Sequence, residues 1–163
     1  MSPLLVSDTN IFIDFEEGNL LAEFFSLPYD IAVPDILYYE ELAPSHSHLL
    51  LSGLKVLSLT SSTMLQAEKL MQKYPKPGRN DCLALLLAKQ QSCPLLSGDA
   101  ELRRAAEAEQ VDCMGTLWVV EKLLQHNLVS YSKAKQAYLS MQQHQRRLPW
   151  KEVFERLETF NEH

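Results

Sequence analysis

Residues 78–115 read GRNDCLALLLAKQQSCPLLSGDAELRRAAEAEQVDCMG, and the order of patterns inside this stretch decides the fold. An apolar-periodic run from Leu83 to Ala88 predicts a helix, and Pro94 to Ser97 a short strand. The amphipathic run at 100–110 predicts a second helix, and Val111 to Met114 a second strand. Asn80 belongs to the residue types that cap helices, so Asp81 falls in the first turn of the first helix. Gly98-Asp99 closes the strand that follows. A helix of about 11 residues advances roughly 16 Å, and five strand residues return roughly the same distance. Helices run opposite to the strands they cover in a parallel sheet. The helix start and the strand end therefore meet at the carboxyl edge, where open α/β sheets bind ligands. Asp81 and Asp99 are expected to be neighbours there.

Upstream, Leu4-Leu5-Val6-Ser7 is apolar without alternation, as in a central strand buried on both faces, and Asp8-Thr9-Asn10 follows it at once. A third aspartate thus stands at a strand end, with Asn10 placed to cap the next segment and Thr9 to bond a neighbouring carboxylate. Residues 20–26 predict a short helix and Ile31 to Val33 a second buried strand. Pro34-Asp35 then opens a helix ending near Ala43-Pro44, which carries Glu40 and Glu41. Adjacent residues on a helix diverge by about 100°, so one of the two is expected to face the carboxyl edge and the other the solvent. His46 and His48 fit a solvated connection. A third strand spans 55–59, a helix 61–74, and the Tyr74 to Gly78 linker breaks that helix. From Thr116 onward the pattern is helical. One apolar stripe runs through Tyr131, Ala134, Ala137, Tyr138 and Met141, and another through Trp150, Val153, Phe154 and Leu157.

At 163 residues, with 46% apolar composition, the chain is long enough for a substantial core. No apolar run approaches the roughly 20 residues of a membrane helix, and no leader pattern opens the sequence. A cytoplasmic protein without a membrane partner is expected. Its three cysteines, Cys82, Cys93 and Cys113, lie in or beside apolar segments without CxxC spacing, as reduced core thiols do. The net charge of −6 excludes nucleic-acid binding by bulk electrostatics but leaves room for a local site. Lys76 and Arg79 flank Asp81, and Arg103 and Arg104 follow Asp99. These four are the candidate contacts to a phosphate backbone.

There is no Gly-rich phosphate loop, no GxSxG elbow and no HExxH. What converges is acids from separate segments: Asp8, Glu40 or Glu41, Asp81 and Asp99. Crowded carboxylates take up protons or bind hard cations, and an oxygen-only donor set favours Mg²⁺ or Mn²⁺. The matching chemistry is in-line displacement at a phosphodiester. Asp8 and Asp99 are then the expected inner ligands, Asp81 and the helix glutamate bind directly or through water, and Thr9 or Asn10 orients a ligand.

In order, VSDTN, a helix ending EEL, GRNDCLALLLAK, PLLSGDAELRRAA and CMGTL resemble a PIN-domain nuclease, the fold of VapC-type ribonuclease toxins. The resemblance covers roughly residues 3–126, and the C-terminal helices are similar to those of a subgroup with helical extensions. It implies a three-layer α/β/α sandwich over 1–126 with a helical extension over 127–163, packed on the domain or on a partner. It also implies a Mg²⁺- or Mn²⁺-dependent endoribonuclease whose acids fall on Asp8, Glu41, Asp81 and Asp99, with Thr9, Asn10 and Ser97 supporting them. Glu41 is chosen because the family's glutamate usually precedes a leucine, here Leu42. Ser97 stands where many members carry threonine. The resemblance further implies RNA as substrate, a small antitoxin as partner, and homodimers in many members. Two other readings remain. A HAD-like phosphatase would need an aspartate where Asn10 stands, and a PIN-like RNA-binding or assembly protein would use the fold with weak or no catalysis.

Overall fold

The computed structural model describes residues 2–161; Met1, Glu162 and His163, the last two at the end of the expected helical extension, lie outside the described residues. The chain runs β1 (Leu4–Ser7), α1 (Thr9–Glu17), α2 (Leu21–Ser26), β2 (Asp30–Pro34) and α3 (Asp35–Leu37). A π-helical turn (Tyr38–Leu42) follows, then α4 (Ala43–His46), α5 (Leu49–Ser52) and β3 (Lys55–Leu57). Next come α6 (Ser61–Met64), α7 (Ala67–Lys73), α8 (Arg79–Gln91), β4 (Leu95–Leu96) and α9 (Ala100–Ala108). β5 (Cys113–Met114), α10 (Thr116–Gln125), α11 (Tyr131–Gln143) and α12 (Trp150–Glu158) complete it.

The strands form one sheet in the order β3-β2-β1-β4-β5, and every pairing is parallel. With helices on its faces this is the expected three-layer α/β/α sandwich, its described sheet wholly rather than mostly parallel. The chain winds outward from β1 to β3, then returns to β4 on the other side of β1. The β1/β4 junction is therefore the topological switch point, where the crevice of an open α/β sheet lies.

The core explains the order of elements. In α8 every residue from Cys82 to Ala88 is buried, so the helix is apolar all round and lies inside the molecule. β1 buries Leu5, Val6 and Ser7 beneath it. The C-terminal helices pack on the domain rather than projecting from it. In α11, Ala134, Ala137, Tyr138 and Met141 are buried, and α12 adds Val153 and Leu157. Gly18 lies against this face, where a Cβ would meet Ala137 Cβ at 3.4 Å and the movable end of Met141 at 2.7 Å.

Four local expectations are corrected. Residues 9–17 form α1, although the β-branched and aromatic IFIDF run hides its helical period, and Asp8 rather than Asn10 caps it, accepting from Ile11 N. α8 starts at Arg79 after Gly78, so Asn80 is inside the first turn and its side chain is free for another task. The helix expected over 61–74 is two, α6 and α7. His46 and His48 are not free in solvent: both rings bond Glu16, at 3.0 and 3.1 Å.

Candidate active site at the carboxyl edge

The register sets the first contact. Ser7 pairs with Leu96, so the next residues, Asp8 and Ser97, emerge side by side where β1 and β4 end. Asp8 N donates to Leu96 O at 3.0 Å, and Ser97 Oγ donates to Asp8 Oδ2 at 2.5 Å. Ser97 Oγ also accepts from Asp99 N at 3.1 Å, so one buried hydroxyl ties the two aspartates. Asp99 caps α9 through Oδ1, which accepts from Leu102 N at 2.9 Å.

The other acids approach this pair from the helices. Asp81, in the first turn of α8, accepts weakly from Gly78 N at 3.4 Å. Thr9 Oγ1 donates to Glu41 Oε1 at 2.8 Å, which ties the start of α1 to the π-helical turn. Asn80 Nδ2 donates to Glu41 Oε2 at 2.6 Å and to Glu40 Oε1 at 3.2 Å. Glu40 and Glu41 thus do not face opposite ways, contrary to the expectation for a regular helix. The π turn, with bonding from i to i+5, and the length of glutamate let both reach one amide.

Electrostatics confirm the crowding. Burial pushes Asp8, only 2% exposed, up to about 7, with the Ser97 and Ile11 bonds opposing and the charges of Asp81 and Asp14 adding to the rise. Burial also raises Asp81, opposed by the Gly78 amide and reinforced by the charges of Asp99 and Glu41. Asp81 is the acid common to both sets of charges. Asn80 Oδ1, buried beside them, has no hydrogen-bond donor among the described residues.

This donor set is carboxylate and amide oxygen, which suits a hard divalent cation. The donors are not pre-gathered: among the described residues no three Asp, Glu, His or Cys side chains are arranged to hold an ion. Their oxygens are turned instead onto Ile11 N, Ser97, Leu102 N, Gly78 N, Thr9 and Asn80. In chemistry the residues fit a cation; to bind one they must exchange some of these internal donors for it.

Asn10 points elsewhere. Its Oδ1 accepts from Arg146 Nη2 at 3.1 Å, while Arg146 Nε donates to Asp14 Oδ1 at 2.6 Å. Thr116 Oγ1 donates to Asp14 Oδ2 at 2.6 Å. This second polar knot, missed in the sequence, joins α1, α10 and the loop after α11. The only sequence signal was Asp14 falling on the apolar face set by Ile11, Phe12 and Phe15, which a buried acid occupies only when paired.

The four candidate cations are distributed unevenly. Lys76 Nζ is 4.0 Å from Glu101, to which Arg104 also donates, and Arg79 Nη1 is 3.3 Å from Glu40. Among the described residues Arg103 has no carboxylate partner; it donates to Ser97 O at 3.4 Å. Among the described residues no helix is long and apolar enough to cross a membrane.

A family model described as DUF3368, PIN domain, matches residues 4–162. No curated protein matches the chain.

Proposed function

The chain belongs to the PIN-domain family, whose members are generally nucleases, and from that premise we propose that it is a Mg²⁺- or Mn²⁺-dependent endoribonuclease. The observation that carries this reading is the placement of Asp8 and Asp99, tied through Ser97, at the β1/β4 switch point, with Asp81 close enough to feel the charges of Asp99 and Glu41 and to add its own to Asp8. In it, Asp8, Glu41, Asp81 and Asp99 hold the cation. A divalent ion there would supply a Lewis acid able to activate water and to offset charge on the leaving oxygen. The protein's own groups prepare the site. Ser97 fixes the Asp8 carboxylate by its hydroxyl, Thr9 fixes Glu41, and Asn80 gathers Glu41 and Glu40 on one amide. Without the ion, Asp8 keeps its proton up to about pH 7. Ligation by carboxylate requires that proton to leave, so cation affinity rises with pH through that range.

We extend the reading to the toxin of a toxin–antitoxin pair. Supporting it is apolar surface suited to a small antitoxin or a second copy: Tyr39, 69% exposed beside Glu40, and Leu51, 93% exposed, on α5. The alternative is a PIN-like RNA-binding or assembly protein. The specific observation in its favour is that the acids' oxygens are satisfied internally rather than gathered. Purified protein incubated with Mg²⁺ or Mn²⁺ and a panel of cellular RNAs separates the two. Cleavage that EDTA and Asp8→Asn each abolish supports the nuclease. RNA binding without cleavage at any cation concentration supports the scaffold.

A further inference from the structure

Beside the acids lies a groove of about 440 Å³, lined among others by Gly98, Arg103, Gly115, Trp118, Arg147 and Arg156. Gly98 and Arg147 also line a second groove that contains Asp99, so the two are continuous and the trough leads away from the acids. Its walls come from different ends of the chain. Arg103 projects from α9, and Arg147 from the loop between α11 and α12, which Arg146 pins to Asp14 and Asn10.

The charges on this trough balance in number, but not every arginine is paired. Arg156 is neutralised by Glu121, through bonds of 2.8 and 2.7 Å. Asp14, held by Arg146, and Glu152 are the other acids on the lining. Arg103 and Arg147 have no carboxylate partner among the described residues. Arg103 Nη2 donates to the carbonyl of Ser97 at 3.4 Å. A Cβ on Gly115 would lie 3.3 Å from Arg103 Nη2, and Gly115, which starts α10, offers no side chain to cap the amides that follow.

We propose that this trough binds a backbone phosphate of the single-stranded RNA next to the one cleaved at the acids, on the Arg103 and Arg147 that line it. The proposal rests on the nuclease reading and adds to it that the C-terminal segment is part of the substrate site. It also explains how a chain of net charge −6 holds a polyanion: locally, on guanidinium groups left unpaired.

The test is fluorescence anisotropy with a labelled single-stranded RNA oligomer in EDTA, where binding is read without cleavage, followed by cleavage assays with Mn²⁺. Arg103→Ala and Arg147→Ala are each expected to weaken binding about 10-fold and to lower the slope of log affinity against log salt by about 1. Lys55→Ala, on β3 at the opposite edge of the sheet, is expected to bind as wild type does. Arg147 is exposed and makes no hydrogen bond among the described residues, so Arg147→Glu serves as a second variant expected to keep the fold, and should weaken binding further. If wild type binds and cleaves RNA while the Arg103 and Arg147 variants match it in affinity and salt slope, the trough proposal fails and the nuclease reading stands. If wild type neither binds nor cleaves, both fail.

Discussion

Asp8→Asn should stabilise the cation-free protein at pH 8 while abolishing cleavage. Burial raises the Asp8 carboxyl from 3.8 to about 7, so the folded state binds its proton more tightly than the unfolded chain does. Stability tied to this group is full below about pH 4 and lost as pH rises toward 7. At about 1.36 kcal/mol per pKa unit, the total loss is about 4 kcal/mol. Asparagine is isosteric and carries no charge to desolvate. Its Oδ1 can go on accepting from Ile11 N, and the Ser97 hydroxyl can rotate to accept from Nδ2. The variant therefore escapes the loss. The gap in its favour is expected to widen by about 3 kcal/mol between pH 5 and pH 8, or very roughly 6–12 °C in melting temperature for a domain of this size. Urea unfolding in EDTA, followed by the fluorescence of Trp118 and Trp150, measures both proteins across that range. Parallel pH profiles would refute the reasoning, since they would mean that Asp8 is not held against its own charge.

Glu41→Gln is expected to lower Mn²⁺-dependent cleavage by at least about 10-fold, and Glu40→Gln to change initial rates by less than about 3-fold, because Thr9 orients only Glu41. Equal losses would assign the role to both. Arg146→Ala leaves Asp14, 7% exposed, buried without its cation. Such a break costs about 3 kcal/mol, visible as a drop of roughly 6–12 °C by thermal scanning, and Asp14→Asn in the same chain should recover part of it. An unchanged melting temperature would show that the pair contributes little.

The fold was legible because its strongest signals are local and redundant. The buried run of α8 and the strand–aspartate junctions at Ser7-Asp8 and Ser97-Gly98-Asp99 state both the class and the edge on which the acids meet. The family likeness agreed with them. What escaped was tertiary. α1 was hidden because Ile11, Phe12, Ile13 and Phe15 have strand-like propensity, which docking against α2 and α11 overrides. The π turn at Tyr38–Leu42 has no sequence mark, so the placement of Glu40 could not be read. Asn80 looked like a cap because asparagine often is one; its side chain instead serves two glutamates some 40 positions away, at separations of 39 and 40 residues. Arg146 and Arg147 are adjacent and chemically identical, and only the packing of α11 on α1 turns the first inward and leaves the second in the trough.

The central claim is that Asp8, Glu41, Asp81 and Asp99 act together on one divalent cation. Mn²⁺ binding, followed by electron paramagnetic resonance or calorimetry on the wild-type protein and on each single Asp→Asn or Glu→Gln variant, tests it most directly. The expected result is binding that weakens at least about 10-fold in all four variants, strengthens from pH 6 to pH 8 in the wild type, and persists in Glu40→Gln. Mn²⁺ affinity indifferent to Asp81 and Asp99, or no binding by the wild type at any pH, would contradict it.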